Sequence, residues 1–289
     1  MRILITGASG FIGRNVMDYC QSGAHHLIHY DEQLPDRHVF DRFLKSKGED
    51  HTPIEAVVHL AALPSVPRSI QYPGACFKTN VEGTFHLIQE AVKHGVKRFI
   101  FASSAAAETP GVSPYAASKA AGEHFLEAAC RHSDMQGIAL RFANVYGPHS
   151  MHKESAVAAL FKALYGETPF VVNGTGEQRR DYVFAGDIAR ALSLAVGAPL
   201  KAFHVVPIGS GVITSINSLI AAIETLTGRT VQIQRGSRAG DVDVASVRLA
   251  AAHLLIGYSP AFDLVDGLQK TAEYFEAESK SHGEKLLVA

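Results

Sequence analysis

Short apolar runs alternate with amphipathic stretches along the first half of the chain, and this alternation predicts the elements. Residues 3–6 read as a buried strand and residues 11–22 as a helix with apolar positions at helical spacing. Strands follow over 27–30 and 56–60, then a long helix over 73–94. Residues 98–102 read as the next strand, 115–132 as a helix and 137–141 as a further strand. Strands alternating with helices of about ten or more residues imply βαβ units, hence a parallel sheet covered on both faces. Right-handed crossovers make such units an α/β, doubly wound (Rossmann) fold.

Beyond Asn144 the rhythm weakens. Turn signals at Tyr146-Gly147-Pro148, Gly166-Glu167-Thr168-Pro169 and Asn173-Gly174-Thr175-Gly176 crowd around short elements. A helix over 186–196 and a strand over 203–206 rejoin the sheet. Residues 212–289 read as a smaller α/β portion that ends in a helix over 265–279 and a polar tail. The predicted division is a Rossmann domain, 1–143 plus 183–206, and a smaller α/β C-terminal domain, 144–182 plus 207–289.

Composition narrows the partners. The 289 residues are 47% hydrophobic and 19% charged, with a net charge of -1. Such a chain buries a substantial core but offers no broad electrostatic footprint for nucleic acid or an anionic membrane. Any anion site is therefore local. Cys20, Cys76 and Cys130 are an odd, widely spaced set, which fits reduced thiols better than a disulfide framework. The 15 histidines include His25-His26 but form no HExxH-type ligand pattern, so no metal is expected. Met1-Arg2 leads straight into the first strand without an apolar leader, which makes a cytoplasmic location the expectation.

The chemistry concentrates in two places. Gly7, Gly10 and Gly13, with Phe11 and Ile12 between them, lie where the first strand meets the first helix. Glycine permits a tight turn there and lets backbone N–H groups approach a pyrophosphate, which also meets the positive end of the helix dipole. The same spacing also suits a plain tight turn. Asp31, about twenty residues on, stands where a carboxylate accepts from both ribose hydroxyls and repels a 2′-phosphate, favouring NAD over NADP. The alternative for Asp31 is a surface turn residue.

Farther along, Tyr115 and Lys119 share a helical face, since i and i+4 are neighbours. An ammonium beside a phenol, together with an oxidised nicotinamide, favours phenolate and lowers a pKa that is ordinarily about 10, which suits proton transfer. Ser103 and Ser104, at the end of the preceding strand, offer hydroxyls to the same substrate oxygen. Against this stands a partly buried Tyr and a surface Lys on an amphipathic helix. Both motifs in one dinucleotide-type fold point to oxidoreductase chemistry on a bound nicotinamide.

These residues, with His59-Leu60-Ala61-Ala62, Asn80-Val81-Glu82-Gly83-Thr84, Arg141-Phe142-Ala143-Asn144-Val145-Tyr146-Gly147-Pro148 and Gly176-Glu177-Gln178-Arg179-Arg180-Asp181-Tyr182-Val183, resemble the extended short-chain dehydrogenases/reductases. Within these the chain is similar to the NAD-dependent epimerase/dehydratase family, over residues 2–260. The resemblance implies NAD as cofactor, near Gly7, Gly10, Phe11, Ile12, Gly13, Asp31, Leu60, Ala61, Ala62, Asn80, Ser103, Tyr115 and Lys119. It implies Ser104 as hydroxyl partner, Tyr115 as acid/base, and Lys119 as the residue that binds the nicotinamide ribose and tunes Tyr115. A nucleotide sugar, a UDP-hexose, is the implied substrate. Asn144, Arg180 and, in Gly236-Ser237-Arg238-Ala239-Gly240-Asp241, Arg238 and Asp241 would hold its nucleotide. Guanidiniums suit such a diphosphate because their contacts are charge-assisted and bidentate. The other reading of Arg180 is an ion pair with Asp181 or Asp187.

Ser65-Val66-Pro67-Arg68-Ser69 resembles a segment of epimerases that act on UDP-N-acetylhexosamines, with Ser65 and Arg68 as substrate contacts; Arg68 otherwise only caps or anchors its loop. Family dehydratases and decarboxylases place an acidic residue just after the Ser104 position, where this chain has Ala105-Ala106-Ala107. Elimination then lacks its general acid/base. The implied reaction is C4 epimerisation through a transient 4-keto sugar. Only ten residues separate Ser104 from Tyr115, fewer than in relatives, which keeps a ketoreductase or dehydrogenase with exchangeable cofactor as the alternative. A non-catalytic NAD-binding protein is a third reading. Asp41 is a candidate adenine contact, and Pro207 stands where relatives carry Asn. Phe77, Val81, Phe85, Phe125 and Ala129 should be mostly core by their helical spacing, and relatives pair these two helices into a dimeric bundle, implying a homodimer.

Overall fold

The computed structural model describes residues 1–20, 26–30, 41, 53–166, 168–236 and 246–287. Two compact units emerge: Met1–Phe142 with Ala189–Ile208 and Ala250–Tyr258, and Ala143–Ile188 with Gly209–Leu249 and Ser259–Ala289.

The first unit is built on six strands: β1 (Arg2–Thr6), β2 (His26–Tyr30), β3 (Ala56–His59), β4 (Arg98–Ser104), β5 (Gln136–Phe142) and β9 (Phe203–Ile208). They pair in parallel in the order β2-β1-β3-β4-β5-β9. β1 and β3 are buried at every position, as strands covered on both faces must be. Leu4, Val57, Leu87, Phe99, Phe101, Leu126 and Ala139 form the core on one side. Pro207 lies in β9, the end strand of this order, where a missing N–H costs no ladder bond. Strand order reverses at β1 and β3, and ligands of such sheets bind outside the carboxyl ends of the strands at that point.

Helix α1 (Phe11–Cys20) follows β1. The helix expected over 73–94 is broken up. A short α2 (Val66–Gln71) precedes it, then come α3 (Pro73–Cys76), a π-helical turn (Phe77–Gly83) and α4 (Thr84–Lys93). The π turn carries Asn80 inward, and such turns recur at functional sites. Helix α5 (Pro114–Arg131) packs beside β4 and starts after two short 3₁₀ turns, Ala105–Glu108 and Pro110–Val112.

The second unit has five short strands: β6 (Asn144–Tyr146), β7 (Phe170–Asn173), β8 (Arg179–Phe184), β10 (Ile213–Ser215) and β11 (Ile233–Gly236). They form two small sheets, β10-β8-β6 and β11-β7. Leu160, Phe161, Val172, Leu219, Ile223, Leu268 and Phe275 are its core. Among the described residues no helix is long and apolar enough to cross a membrane.

Candidate active site

The three glycines sit where β1 hands over to α1. Gly7 has φ +74°, a left-handed conformation, and a Cβ there would come within 2.8 Å of the Ala61 backbone nitrogen. Only glycine fits. Gly10 N donates to Gly7 O (3.1 Å), closing the turn. A Cβ on Gly13 would strike the Gly7 and Ala8 carbonyls, so the first turn of α1 packs directly on the loop. Phe11 and Ile12 open that turn, where helical N–H groups lack intrahelical partners. A side-chain-free backbone cradle at a helix N-terminus fits the pyrophosphate of a dinucleotide.

Leu60–Ala62 continue from β3 across this loop. Leu60 N donates to Thr6 O (3.1 Å) and Ala61 N to Thr6 Oγ1 (3.3 Å). Asn80 shapes the same segment: its Oδ1 accepts from Leu63 N (2.7 Å), and its Nδ2 donates to Leu63 O (3.2 Å) and Ser118 Oγ (3.0 Å). Asp31 lies outside the described residues. Asp41 accepts from Lys93 Nζ (2.8 Å) and lies 2.9 Å from His94 Nε2, so its carboxylate serves the end of α4.

The acid/base group is assembled on α5 and β4. Ser113 caps α5, accepting from Ala116 N (3.1 Å), and Ser69 Oγ accepts from Tyr115 N (3.1 Å). Ser65 caps α2, accepting from Arg68 N (3.3 Å), while the Arg68 side chain is exposed. Lys119 lies one turn along from Tyr115, its Nζ 5.9 Å from the Tyr115 ring centre and 4.9 Å from that of Phe101. That ammonium donates to Ala102 O (2.7 Å), and Tyr115 and Ser104 are hydrogen-bonded through their side chains. Burial pushes Lys119 down to about 8, with Cys76 and then Glu123 pulling upward.

The protein's own groups do not by themselves acidify the phenol. Burial raises the Tyr115 pKa, and the hydrogen bond from Ser104 pulls it back only in part. Taking a phenolate out of water outweighs what the protein's own groups return. Ser103 points elsewhere: its hydroxyl donates to Glu123 Oε1 (2.5 Å). After Ser104, Ala105–Ala107 carry no acid, and Glu108 lies 3.5 Å from Arg141 Nη1.

In the second unit Asn144 and Arg180 line one cavity of about 220 Å³, together with Ser155, Gln178 and Tyr182. Asn144 Nδ2 donates to Asp181 O (3.3 Å), and Arg180 Nη1 to Arg179 O (2.8 Å). Asp181 accepts from Ser210 N and Oγ (both 2.8 Å), Gly211 N (3.0 Å) and Val247 N (3.0 Å). Asp187 accepts from Ala261 N (2.8 Å). Gln178 and Tyr182 were missed by the sequence reading; the strand period of two, through 178, 180 and 182, was the signal that finds them. Arg238 and Asp241 lie outside the described residues.

Comparison with known proteins identifies the family. The model of the NAD dependent epimerase/dehydratase family matches residues 3–209. The UDP-glucose 4-epimerase of Mycolicibacterium smegmatis is 32% identical, across 97% of this chain and 100% of that protein. Among solved structures, the UDP-glucose 4-epimerase of Thermotoga maritima with UDP-glucose superimposes with a TM-score of 0.86 at 30% identity, covering 96% of this chain and 99% of the other. The UDP-glucose 4-epimerase of Thermus thermophilus in complex with NAD gives 0.82 at 25% identity, covering 96% and 99%.

Proposed function

The chain belongs to the NAD dependent epimerase/dehydratase family, and on that premise we propose that it interconverts C4 epimers of a UDP-hexose. It is an NAD-dependent nucleotide-sugar epimerase, with UDP-glucose/galactose or the corresponding N-acetylhexosamines as substrates. The observation that carries this is the Tyr115–Ser104 hydrogen bond beside Lys119, followed by three alanines and no acid.

When bound, NAD would supply the two-electron acceptor and donor and the positive charge of its oxidised ring. Gly7, Gly10 and the first turn of α1 would hold its pyrophosphate; Leu60–Ala62, placed by Asn80, would line it. Lys119 would bind its nicotinamide ribose. Ser104 Oγ orients the C4 hydroxyl, and Tyr115 takes its proton as that carbon is oxidised. Tyr115 returns the proton once the 4-keto sugar has presented its other face. Asn144 and Arg180 would hold the diphosphate, with Arg238 and Asp241 as further contacts. Ser65 and Arg68 would contact the sugar. With no acidic residue directly after Ser104, elimination of water across C5–C6 lacks a general acid/base to take the C5 proton and protonate the departing C6 hydroxyl.

The test incubates the protein with UDP-glucose, UDP-N-acetylglucosamine and UDP-glucuronate, and reads products by NMR and absorbance at the NADH band. An equilibrium of C4 epimers without net NADH is expected. Stoichiometric NADH with a stable oxidised sugar would defeat the proposal in favour of the exchangeable-cofactor alternative. Tyr115→Phe should lower kcat by ~10²–10⁴, the usual worth of a general acid/base.

A homodimer belongs to the same proposal. Phe77 and Phe125 are 59% and 39% exposed, and the Phe85 ring lies 5.0 Å from that of Phe125. Spacing that predicted core residues instead gives a partly uncovered aromatic face.

A further inference from the structure

Glu123 is 4% exposed, one turn beyond Lys119 on the helix that carries Tyr115. A carboxylate is expensive to bury unless it is paired and hydrogen-bonded, and apolar residues of similar volume fill such places at less cost. Its partners are therefore informative. Arg141 Nε and Nη2 donate to its two oxygens (2.9 and 2.7 Å), forming a fork. Ser103 Oγ donates to the oxygen that also takes Nε. Ser103 and Arg141 are register partners on β4 and β5, so both meet the same helix residue.

The consequence reaches the reacting groups. Lys119 grips β4 at the Ala102 carbonyl, and Glu123 grips it at the Ser103 hydroxyl. Two successive strand residues are thus held by two successive turns of α5. The next residue of β4 is Ser104, and the preceding turn of the helix is Tyr115. We propose that Glu123, braced by Arg141, is a positioning residue: through Ser103 it clamps the end of β4 to α5 and fixes Ser104 against Tyr115.

This assignment rests on the epimerase reading, and it makes Ser103 part of the clamp rather than a contact of the dinucleotide. It also has an electrostatic side. Lys119 faces Tyr115 and Glu123 on its own helix, Cys76 on α3 and His59 on β3. Of these, Cys76 and Glu123 hold its pKa up against burial. Removing the Glu123 charge lowers that pKa further, so the ammonium is lost at lower pH.

Three variants test the clamp: Ser103→Ala, Ser103→Thr and Glu123→Gln. Ser103→Ala should lower kcat ~10–100-fold, the usual cost of slight misplacement of reacting groups, with KM for the UDP-sugar little changed. Ser103→Thr keeps the hydroxyl and should recover most of that loss. In Glu123→Gln the alkaline limb of the kcat–pH profile should move to lower pH, whereas in Ser103→Ala it should stay. A Ser103→Ala enzyme within twofold of the parent, or a Glu123→Gln profile that superimposes on the parent's, overturns the proposal. Should Glu123→Gln fail to fold because Arg141 is left without its partner, the serine pair decides alone. Lys119 is also titrated in NMR of lysine-labelled protein without substrate. That midpoint must fall in Glu123→Gln even if the parent epimerises none of the sugars, so failure of the epimerase reading and failure of the clamp remain distinguishable.

Discussion

His59 is held from both sides of its ring, with Nδ1 2.7 Å from Thr6 Oγ1 and Nε2 2.9 Å from Thr84 Oγ1, and it stacks on Phe101. Burial first, and Lys119 second, push its pKa down to about 3. In an unfolded chain a histidine titrates near ~6.5. Between these values the unfolded chain takes up a proton that the folded one refuses, so stability is full above pH ~6.5 and declines as pH falls toward 3. Urea midpoints measured from pH 7 to pH 4 should fall for the parent. His59→Asn should be less stable at pH 7, by ~1–3 kcal/mol for the threonine left unpaired, but its midpoint should fall less steeply with pH. Equal slopes would remove His59 as the cause. The neighbouring acid/base group was legible in outline because spacing alone puts Tyr115 and Lys119 on one helical face. Its electrostatics were not, since burial raises the phenol and depresses the ammonium, and what encloses and charges that site, Phe101 and Ala102 on β4 and Cys76 on α3, comes from other elements of the chain.

Helix α5 comes close to β4 at Gly122, where an added Cβ would lie 2.6 Å from the Phe101 ring. Phe101 is itself fully enclosed, with His59 stacked on it and Lys119 over its face. It has nowhere to go, so Gly122→Ala must lift the helix. Alanine is the better helix former by about 1 kcal/mol, but overpacking a tight contact costs ~1–3 kcal/mol. The variant should therefore melt at lower urea and lose activity, because Lys119 and Glu123 are drawn off β4 together. A more stable and fully active Gly122→Ala would show that the close approach has no consequence. The parallel strands were readable in advance because burial on both faces leaves an unbroken apolar run, as in Ile3-Leu4-Ile5 and Ala56-Val57-Val58. The π turn was not, because its apolar residues keep a helical look while Asn80 is held inward by Leu63 and Ser118, partners that no local pattern reveals. Strands of three residues, such as Asn144–Tyr146 and Ile213–Ser215, are too short for periodicity to register.

For the whole molecule the decisive features are the Phe85–Phe125 ring pair and the exposed Phe77 on the preceding π turn. Helical spacing marked these positions as apolar but could not say whether the chain's own core or another copy covers them; in the single chain Phe77 and Phe125 remain substantially exposed. Large exposed apolar side chains grouped on one face mark an association surface. A net charge of -1 supplies almost no repulsion between copies. Light scattering should therefore give twice the 31.0 kDa of one chain. Phe77→Glu combined with Phe125→Glu places two carboxylates on that face of each copy and should yield the single-chain mass. Ser104, Tyr115 and Lys119 all come from one chain, so the separated variant should keep its acid/base group, and loss of activity should not exceed what its lower stability explains. A parent protein that scatters as a single chain at every concentration would leave the aromatic face without this partner, and the homodimer would be abandoned.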